Sequence, residues 1–178
     1  KSEPAFSGWT VAQIVQPFAG SLACRRLRKL SLIGCGLQGS VPPCLAQCRG
    51  LQCLHLSKNA LTGPVPEWLG EMCALRELVL STNKLSGTLP DALGVCGGGR
   101  MESIDLYDNQ LSGTVPAEAI AKQQSLVRLK LGAKERGRSE DYPASLLQFL
   151  QAHGVPIECG NSELSVSAEG RALIIAAV

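Results

Sequence analysis

The segment CLAQCRGLQCLHL, residues 44–56, carries residue types that bind zinc. Cys44, Cys48, Cys53 and His55 offer three thiols and one imidazole, and together these are the ligand types of a tetrahedral zinc site. Ligand types alone do not make a site, because the four donors must also converge on one point. The elements that carry these residues therefore decide whether zinc can bind.

A nucleophile and a base form the second chemistry that this segment could support. His55 lies between Cys53 and Ser57, so a thiol or a hydroxyl is close to an imidazole in the sequence. Residues i and i+2 on a strand are roughly 6.5–7 Å apart, which is too far for a direct hydrogen bond. The glycine-rich GGGR at residues 97–100 falls between repeats and lacks the strand-to-helix context of a phosphate-binding loop. The sequence predicts a protein without enzymatic activity and without a cofactor.

Five stretches of the chain repeat one pattern at intervals of 24, 24, 26 and 25 residues. In the third stretch, Leu78 and Leu80 alternate with Glu77 and Val79, which is the two-residue period of a short strand with one buried face. An asparagine or cysteine follows, and then a glycine and a proline. The stretches are LRKLSLIGCGLQGSVPPCL from Leu27, LQCLHLSKNALTGPVPEWL from Leu51, LRELVLSTNKLSGTLPDAL from Leu75, MESIDLYDNQLSGTVPAEAI from Met101 and LVRLKLG from Leu126.

These stretches resemble leucine-rich repeats, whose pattern is L-x-x-L-x-L-x-x-N/C-x-L. The Leu-x-Gly-x-(Val/Leu)-Pro extension most resembles the plant-type class of that family. The resemblance covers residues 27–131 and implies an α/β solenoid, a leucine-rich-repeat horseshoe of about five coils. It predicts one short parallel strand per coil, near residues 28–32, 53–56, 77–80, 103–106 and 128–131. We expect a single domain with an N-terminal helical cap (1–26), the repeats (27–132) and a C-terminal cap of a helix and a strand hairpin (133–178).

Stacked coils would place Asn59, Asn83 and Asn109 in one column, and Cys35 takes the same place in the first coil. An asparagine side chain can bond backbone groups that a turn leaves unpaired. Each asparagine is expected to satisfy its own turn and the backbone of the next coil. We therefore interpret this column as structural.

The repeat pattern also separates the four candidate zinc ligands. Cys44 falls on the irregular convex side, and Cys48 occupies the inward apolar position that Met72 and Cys96 hold in the next two coils. Cys53 and His55 lie on the outward strand face. Because these positions point in different directions, the sequence predicts no metal site, and the cysteines are interpreted as small buried apolar residues.

The cysteines of the flanks bear on the cellular compartment. Cys24 and Cys159 stand alone in the flanks, and no asparagine begins an Asn-x-Ser/Thr glycosylation sequence. The family resemblance implies that extracellular relatives carry paired cap cysteines and many such acceptors. We therefore predict reduced thiols and an intracellular location, in the cytoplasm or an organelle interior, with an extracellular location as the alternative.

The two ends of the chain are interpreted as caps. Residues 9–23 have helix-like spacing interrupted by Pro17, and Trp9 is expected to cover the first coil. Near the other end, residues 143–153 predict a helix, and ELSVS (163–167) with ALIIAAV (172–178) predicts a hairpin. The apolar run 172–178 is predicted to pack on a partner or on a missing part of the same chain. No apolar run is long enough to span a membrane, and the start at Lys1 without a leader indicates a processed chain or an excerpt.

What remains is a surface formed by the outward strand positions. A net charge of +2 does not favour nucleic acid. We predict a protein-binding or scaffold module, a subunit or accessory of a larger intracellular or organellar assembly; the alternative is the extracellular recognition domain of a receptor-like protein. Binding is predicted through the concave sheet face, through the caps, or through both. The predicted concave-face residues are His55, Val79, Asp105, Tyr107, Asp108, Arg128 and Lys130.

Overall fold

The computed structural model of the chain describes residues 6–112, 116–131, 157–159 and 174–177. These residues build a solenoid in which each coil contributes a strand to one long parallel sheet. Helices begin the solenoid and lie on its outer side: α1 Val11–Val15, α2 Leu22–Arg26 and α3 Ala117–Ile120. Short 3-10 segments complete the outer side, at Gln16–Phe18, Pro43–Gln47, Glu67–Glu71, Asp91–Gly94 and Cys96–Gly98.

The N-terminal cap is helical, as the sequence predicts. Thr10 begins α1 with a capping box: its hydroxyl accepts from the Gln13 amide at 3.2 Å, and the Gln13 side chain accepts from the Thr10 amide at 2.8 Å. The helix ends at Val15, two residues before Pro17, because proline lacks the amide that a longer helix needs. A parallel bridge from Thr10 to Gln38 joins the cap to the first coil.

The strands form two parallel sheets. In chain order they are β1 Lys29–Ser31, β2 Gln38–Gly39, β3 Cys53–His55, β4 Ala60–Gly63, β5 Glu77–Val79, β6 Lys84–Gly87, β7 Ser103–Asp105, β8 Gln110–Leu111, β9 Arg128–Lys130, β10 Ile157–Cys159 and β11 Ile174–Ala177. The long sheet has the order β1-β3-β5-β7-β9-β11-β10, and the short sheet has the order β2-β4-β6-β8. The five predicted strands are confirmed, each slightly shorter than its predicted range. The short sheet was not predicted, because its strands are too brief to show a period.

Leucines from neighbouring coils stack to form the core. Leu54, Leu78, Ile104 and Leu129 point inward from the middle of β3, β5, β7 and β9, and all four are fully buried. Burying such a side chain contributes about 1.5–3 kcal/mol. One coil has no second layer of its own to cover these side chains, so the stack of coils forms the interior.

The interval of 26 residues between the third and fourth stretches is accommodated by three glycines. Gly97, Gly98 and Gly99 have φ values of 64°, 63° and 74°, a left-handed backbone that glycine adopts without steric cost. A Cβ atom on Gly97 would collide with the carbonyl oxygen of Leu75. The Arg76 guanidinium donates to the Gly97 carbonyl at 2.9 Å and so holds the insertion against the preceding coil.

The end of the long sheet differs from the predicted hairpin. Strand β11 pairs in parallel with β9 on one edge and with β10 on the other. Both of its edges are therefore paired with parallel strands. The hairpin prediction is wrong in this respect, because the apolar run continues the parallel stack instead of folding back on its nearest neighbour in sequence. Residues 163–167 and the predicted helix at 143–153 lie outside the described residues.

Candidate functional site

The outward side chains of β3, β5, β7 and β9 form one continuous surface, which we call the strand face. The backbone register brings Cys53, Glu77, Ser103 and Arg128 into one row. A second row contains His55, Val79, Asp105 and Lys130. Neighbouring strands are about 4.8 Å apart, so side chains along each row are in contact range. The face combines acidic, basic and apolar groups.

Cys53, His55 and Glu77 cluster at one side of the strand face. The His55 Nε2 atom lies 2.9 Å from the Glu77 Oε2 atom. The side chain of His55 is 16% exposed and that of Glu77 is 41% exposed, so the pair is accessible from one side. The sulfur of Cys53, the imidazole and the carboxylate lie within 4.8 Å of one another. The chain thus places three donor atoms of different chemistry at one point.

The electrostatics of the cluster keep the Cys53 thiol protonated. Burial raises the pKa of Cys53 from its model-compound value of 9.0, and the charge of Glu77 and its hydrogen bond with the thiol raise it further. Lys29 acts in the opposite direction. Because a thiolate and not a thiol is the nucleophile, Cys53 has the wrong protonation state for nucleophilic attack at neutral pH.

The strand face contains most of the residues predicted for it. His55, Val79, Asp105 and Lys130 are neighbours in one row, and Arg128 lies in the adjacent row. The remaining two follow β7 in the sequence. The Tyr107 amide donates to the Asp105 carboxylate at 3.2 Å. Asp108 has a φ of 57° and its carbonyl accepts from the Asn83 amide at 3.1 Å, so it belongs to a turn and not to either row.

Asn59, Asn83 and Asn109 form a second column, which we call the turn column. The Asn83 Nδ2 group donates to the Leu80 carbonyl in its own turn at 2.9 Å and to the Leu56 carbonyl at 3.0 Å. Its Oδ1 atom accepts from the Leu61 amide at 3.1 Å. Leu56 and Leu61 belong to the preceding coil, so the bonds between coils run backward, not to the next coil as expected.

Cys35 takes the corresponding place in the first coil, and its side chain bonds differently from the asparagines. The Cys35 thiol lies 3.6 Å from the Ile33 carbonyl, a weak contact inside its own turn. Asn59 instead supplies the bonds between the first and second coils, donating to the Leu32 carbonyl at 2.7 Å and accepting from the Leu37 amide at 3.1 Å. A cysteine suffices at position 35 because a cap, not another repeat, precedes it.

Gln123 is a buried polar residue that sequence reasoning missed. Its side chain donates to the carbonyls of Leu93 and Cys96 at 2.6 and 2.9 Å, and accepts from the Met101 amide at 2.9 Å. It therefore ties the segment after α3 to the preceding coil, as the asparagines do elsewhere. A signal was present: Gln123 stands three residues before Leu126, as Cys48 and Met72 stand three residues before Leu51 and Leu75, so a polar residue takes an inward position that is apolar in those coils.

The cysteines correct the redox prediction. Cys24 and Cys48 form a disulfide, with their Cα atoms 4.8 Å apart. The prediction that Cys24 stands alone with a reduced thiol is wrong, because the cap stacks on the first coil and brings the two residues together. A signal was present: Cys24 precedes Cys48 by 24 residues, the interval of the first repeats. The bond also removes the Cys48 sulfur from the zinc set considered at first.

The other buried cysteines agree with the packing interpretation. Cys44 and Cys96 are free and buried. Burial raises the pKa of Cys44, and it raises the pKa of Cys96 to about 12. Cys44 lies on the 3-10 segment Pro43–Gln47, away from the cluster of Cys53, His55 and Glu77, so it does not join them in a common site.

Among the described residues, no helix combines the length and the apolar character that crossing a membrane requires. The family model for the Leucine Rich Repeat matches residues 26–48, 50–72 and 74–96. No curated protein matches the chain.

Solved structures similar to this chain include plant receptor ectodomains. The leucine-rich-repeat ectodomain of the Arabidopsis thaliana receptor kinase GASSHO1/SCHENGEN3, in complex with CASPARIAN STRIP INTEGRITY FACTOR 2, has 35% identity and a TM-score of 0.57, over 61% of this chain and 13% of that chain. The Arabidopsis receptor kinase HAESA, in complex with the peptide hormone IDA and the co-receptor SERK1, has 36% identity and a TM-score of 0.57, over 61% and 18%.

The Arabidopsis thaliana BIR2 ectodomain has 36% identity and a TM-score of 0.55, over 58% of this chain and 53% of that chain. This chain thus spans between about an eighth and about a half of the length of these three structures. By its repeats, its two parallel sheets and these similarities, the chain is a leucine-rich-repeat protein of the plant-type repeat class.

Proposed function

We propose that the chain is a non-catalytic recognition module of an extracellular, receptor-type protein, and that its strand face binds an extended peptide or protein segment. The observation that carries the proposal is the row of His55, Val79, Asp105 and Lys130, in which one side chain from each of four strands faces outward in exact register. Mixed charged and apolar side chains on a rigid sheet suit a protein partner. The similar structures with bound peptide or co-receptor support the same class of function.

The extracellular location is supported by the Cys24–Cys48 disulfide. Disulfides persist in oxidising compartments and are rare in the cytosol. The intracellular prediction rested on unpaired flank cysteines and on missing Asn-x-Ser/Thr acceptors, and the first of these arguments no longer holds for Cys24. The extracellular alternative is therefore the better interpretation, and the similarity to receptor ectodomains supports it.

The dimensions and charges of the face define the partner further. From β1 to β9 the long sheet crosses about 19 Å, the length of an extended segment of about six residues. Arg128 and Lys130 make the β9 end basic, whereas Glu77 and Asp105 lie toward the middle of the face. We expect a bound segment to carry an acidic group at the β9 end.

The proposal is tested by selecting short peptides from a displayed random library on the immobilised full chain. The selected peptides should be enriched in an acidic residue. The double variant Arg128→Glu/Lys130→Glu should weaken their binding by at least about tenfold, or about 1.4 kcal/mol, because it replaces two attractive charges by two repulsive ones opposite the acidic group of the peptide. A matched control reverses Arg49 and Lys84, which are exposed and lie away from the strand face.

If both double variants lost the same amount of peptide affinity, the change in net charge would explain the loss. If Arg128→Glu/Lys130→Glu left peptide binding unchanged, the strand face would have no role in it. Circular dichroism of each variant establishes that the fold is retained. The non-catalytic part of the proposal is supported by the protonated state of Cys53.

A further inference from the structure

We propose that Cys53, His55 and Glu77 form a zinc-binding site on the strand face. The site takes one sulfur, one imidazole nitrogen and one carboxylate oxygen as protein ligands, and it leaves a fourth position facing outward. Sulfur, nitrogen and oxygen donors of these three residue types are the common protein ligands of Zn²⁺. The proposal concerns a metal site and does not depend on the identity of any protein partner.

The distances between the donors favour a metal ion. All three donor atoms lie within 4.8 Å of one another, and the His55 and Glu77 donors are 2.9 Å apart. In a tetrahedral zinc site with ordinary bond lengths, neighbouring ligand atoms are about 3.4–3.6 Å apart. The nitrogen and oxygen need to move apart by only a few tenths of an ångström to reach this spacing.

The sheet holds the three ligands in place before a metal binds. Cys53 and Glu77 are directly paired partners on β3 and β5, and His55 follows Cys53 on the same outward face. Strand residues are positioned more rigidly than loop residues, which lowers the entropy lost on binding. Two of the ligands come from β3, and Glu77 of the next coil supplies the third.

The local charges also suit a divalent cation. A bound Zn²⁺ would displace the Cys53 proton, and the thiolate and the Glu77 carboxylate would together neutralise the ion. Among the charged groups that act on the cluster, Glu102 adds negative charge and Lys29 opposes it. The cluster differs from an ordinary surface ion pair because a free thiol stands beside the pair at half-buried depth. An ion pair between a histidine and a glutamate forms without a thiol beside it.

The geometry differs from the set first considered in the sequence. Cys44 and Cys48 take no part, because Cys44 is buried on the outer side and Cys48 is bonded to Cys24. The third ligand comes instead from the residue 24 positions after Cys53. Zinc sites are usually recognised by short ligand spacing in one segment, and this one is formed across two coils.

The test is a titration of the full chain with Zn²⁺, monitored by isothermal titration calorimetry. A second titration uses Co²⁺, which replaces Zn²⁺ and can be observed by absorption spectroscopy. We expect one ion per chain and a near-ultraviolet charge-transfer band from thiolate to cobalt. Cys53→Ser should abolish that band, and His55→Gln and Glu77→Gln should each weaken zinc binding by at least about tenfold. The matched control is Cys73→Ser, which removes an exposed free thiol away from the cluster and should leave the band and the affinity unchanged.

Two results would overturn the proposal. One is a cobalt band that persists in Cys53→Ser or disappears in Cys73→Ser, since the sulfur ligand would then be another cysteine. The other is the absence of saturable zinc binding by the wild-type chain. Thermal melts of the variants show that they are folded, and the three ligands are only half-buried, so their replacement leaves the leucine core untouched. Because no peptide is present, a negative result here leaves the peptide-binding proposal standing.

Discussion

The turn column and the strand face are built by the same coil-to-coil register, yet their side chains differ in character. The turn column repeats one residue type at Asn59, Asn83 and Asn109. In the row that contains His55, the strand face changes from an imidazole to an apolar, an acidic and a basic side chain. The column must pair buried backbone groups, and few side chains can do so. The face meets solvent or a partner, which leaves its chemistry free to vary.

The residue before each asparagine sharpens this contrast. Lys58, Thr82 and Asp108 have φ values of 57°, 55° and 57°, and Gly34 takes the same left-handed conformation in the first coil with 65°. The backbone conformation is constant along the stack, although the four residues have little in common. The turn therefore imposes its conformation even on Thr82, a β-branched residue for which it is costly.

The largest loss of stability is expected on removal of the Cys24–Cys48 disulfide, which joins the N-terminal cap to the first coil. Replacing both Cys24 and Cys48 by alanine should lower the free energy of unfolding by about 3 kcal/mol, because the bond closes a loop between residues 24 positions apart. Urea unfolding followed by circular dichroism measures this loss. Cys73→Ala, at an exposed free thiol, serves as the control. Equal stability with and without a reducing agent would contradict the bond.

Within the turn column, Asn83→Ala should lower the free energy of unfolding by about 2 kcal/mol. The substitution removes the acceptor of the Leu61 amide and one of the donors to the Leu56 and Leu80 carbonyls. Asn59 and Asn109 still donate to those two carbonyls, which limits the loss. Chemical denaturation provides the measurement.

Two control variants test whether the turn column contributes more to stability than the strand face does. Cys35→Ala removes only a weak contact within one turn, and it should cost less than about 1 kcal/mol. Asp105→Ala, on the strand face, should change stability by no more than about 0.5 kcal/mol. If all three variants unfolded at the same denaturant concentration, the distinction between the column and the face would fail.

One substitution in the turn column is expected to give a small gain in stability. Thr82→Asn should raise the free energy of unfolding by about 0.5–1 kcal/mol, because asparagine tolerates the left-handed conformation better than a β-branched residue does. Thr82 is exposed, so the change removes no core packing. Differential scanning calorimetry would show a higher melting temperature. A lower one would mean that the threonine side chain contributes a contact that outweighs the strain.

The strands were predictable from the sequence because their signal repeats. Leu54, Leu78 and Ile104 recur at almost the same interval, and inward apolar positions with a period of two have one simple solution in a stack. The turn column followed from the same frame. The direction of its bonds did not, because a side chain at a turn can reach either neighbouring coil.

The pairing of β11 and the cluster on the strand face could not be predicted in the same way. A run such as ALIIAAV fits a hairpin strand as well as a strand in a parallel sheet, because the local pattern of residues does not identify the strand with which it pairs. The Cys53–His55–Glu77 cluster depends on Glu77 reaching His55 across two coils at 2.9 Å. Counting 24 residues forward from Cys53 identifies the neighbour, but not the side-chain rotamers that bring the donors together.

By itself, the sequence determined the repeat, the inward leucines and the residues that face outward, because each of these depends on periodicity along one chain. The tertiary structure alone decided which groups meet across coils. It joined Cys24 to Cys48, directed the asparagine bonds to the preceding coil and placed β11 between β9 and β10. Such contacts depend on distances of a few ångströms between residues 20 or more positions apart, and the stacking of the coils sets those distances.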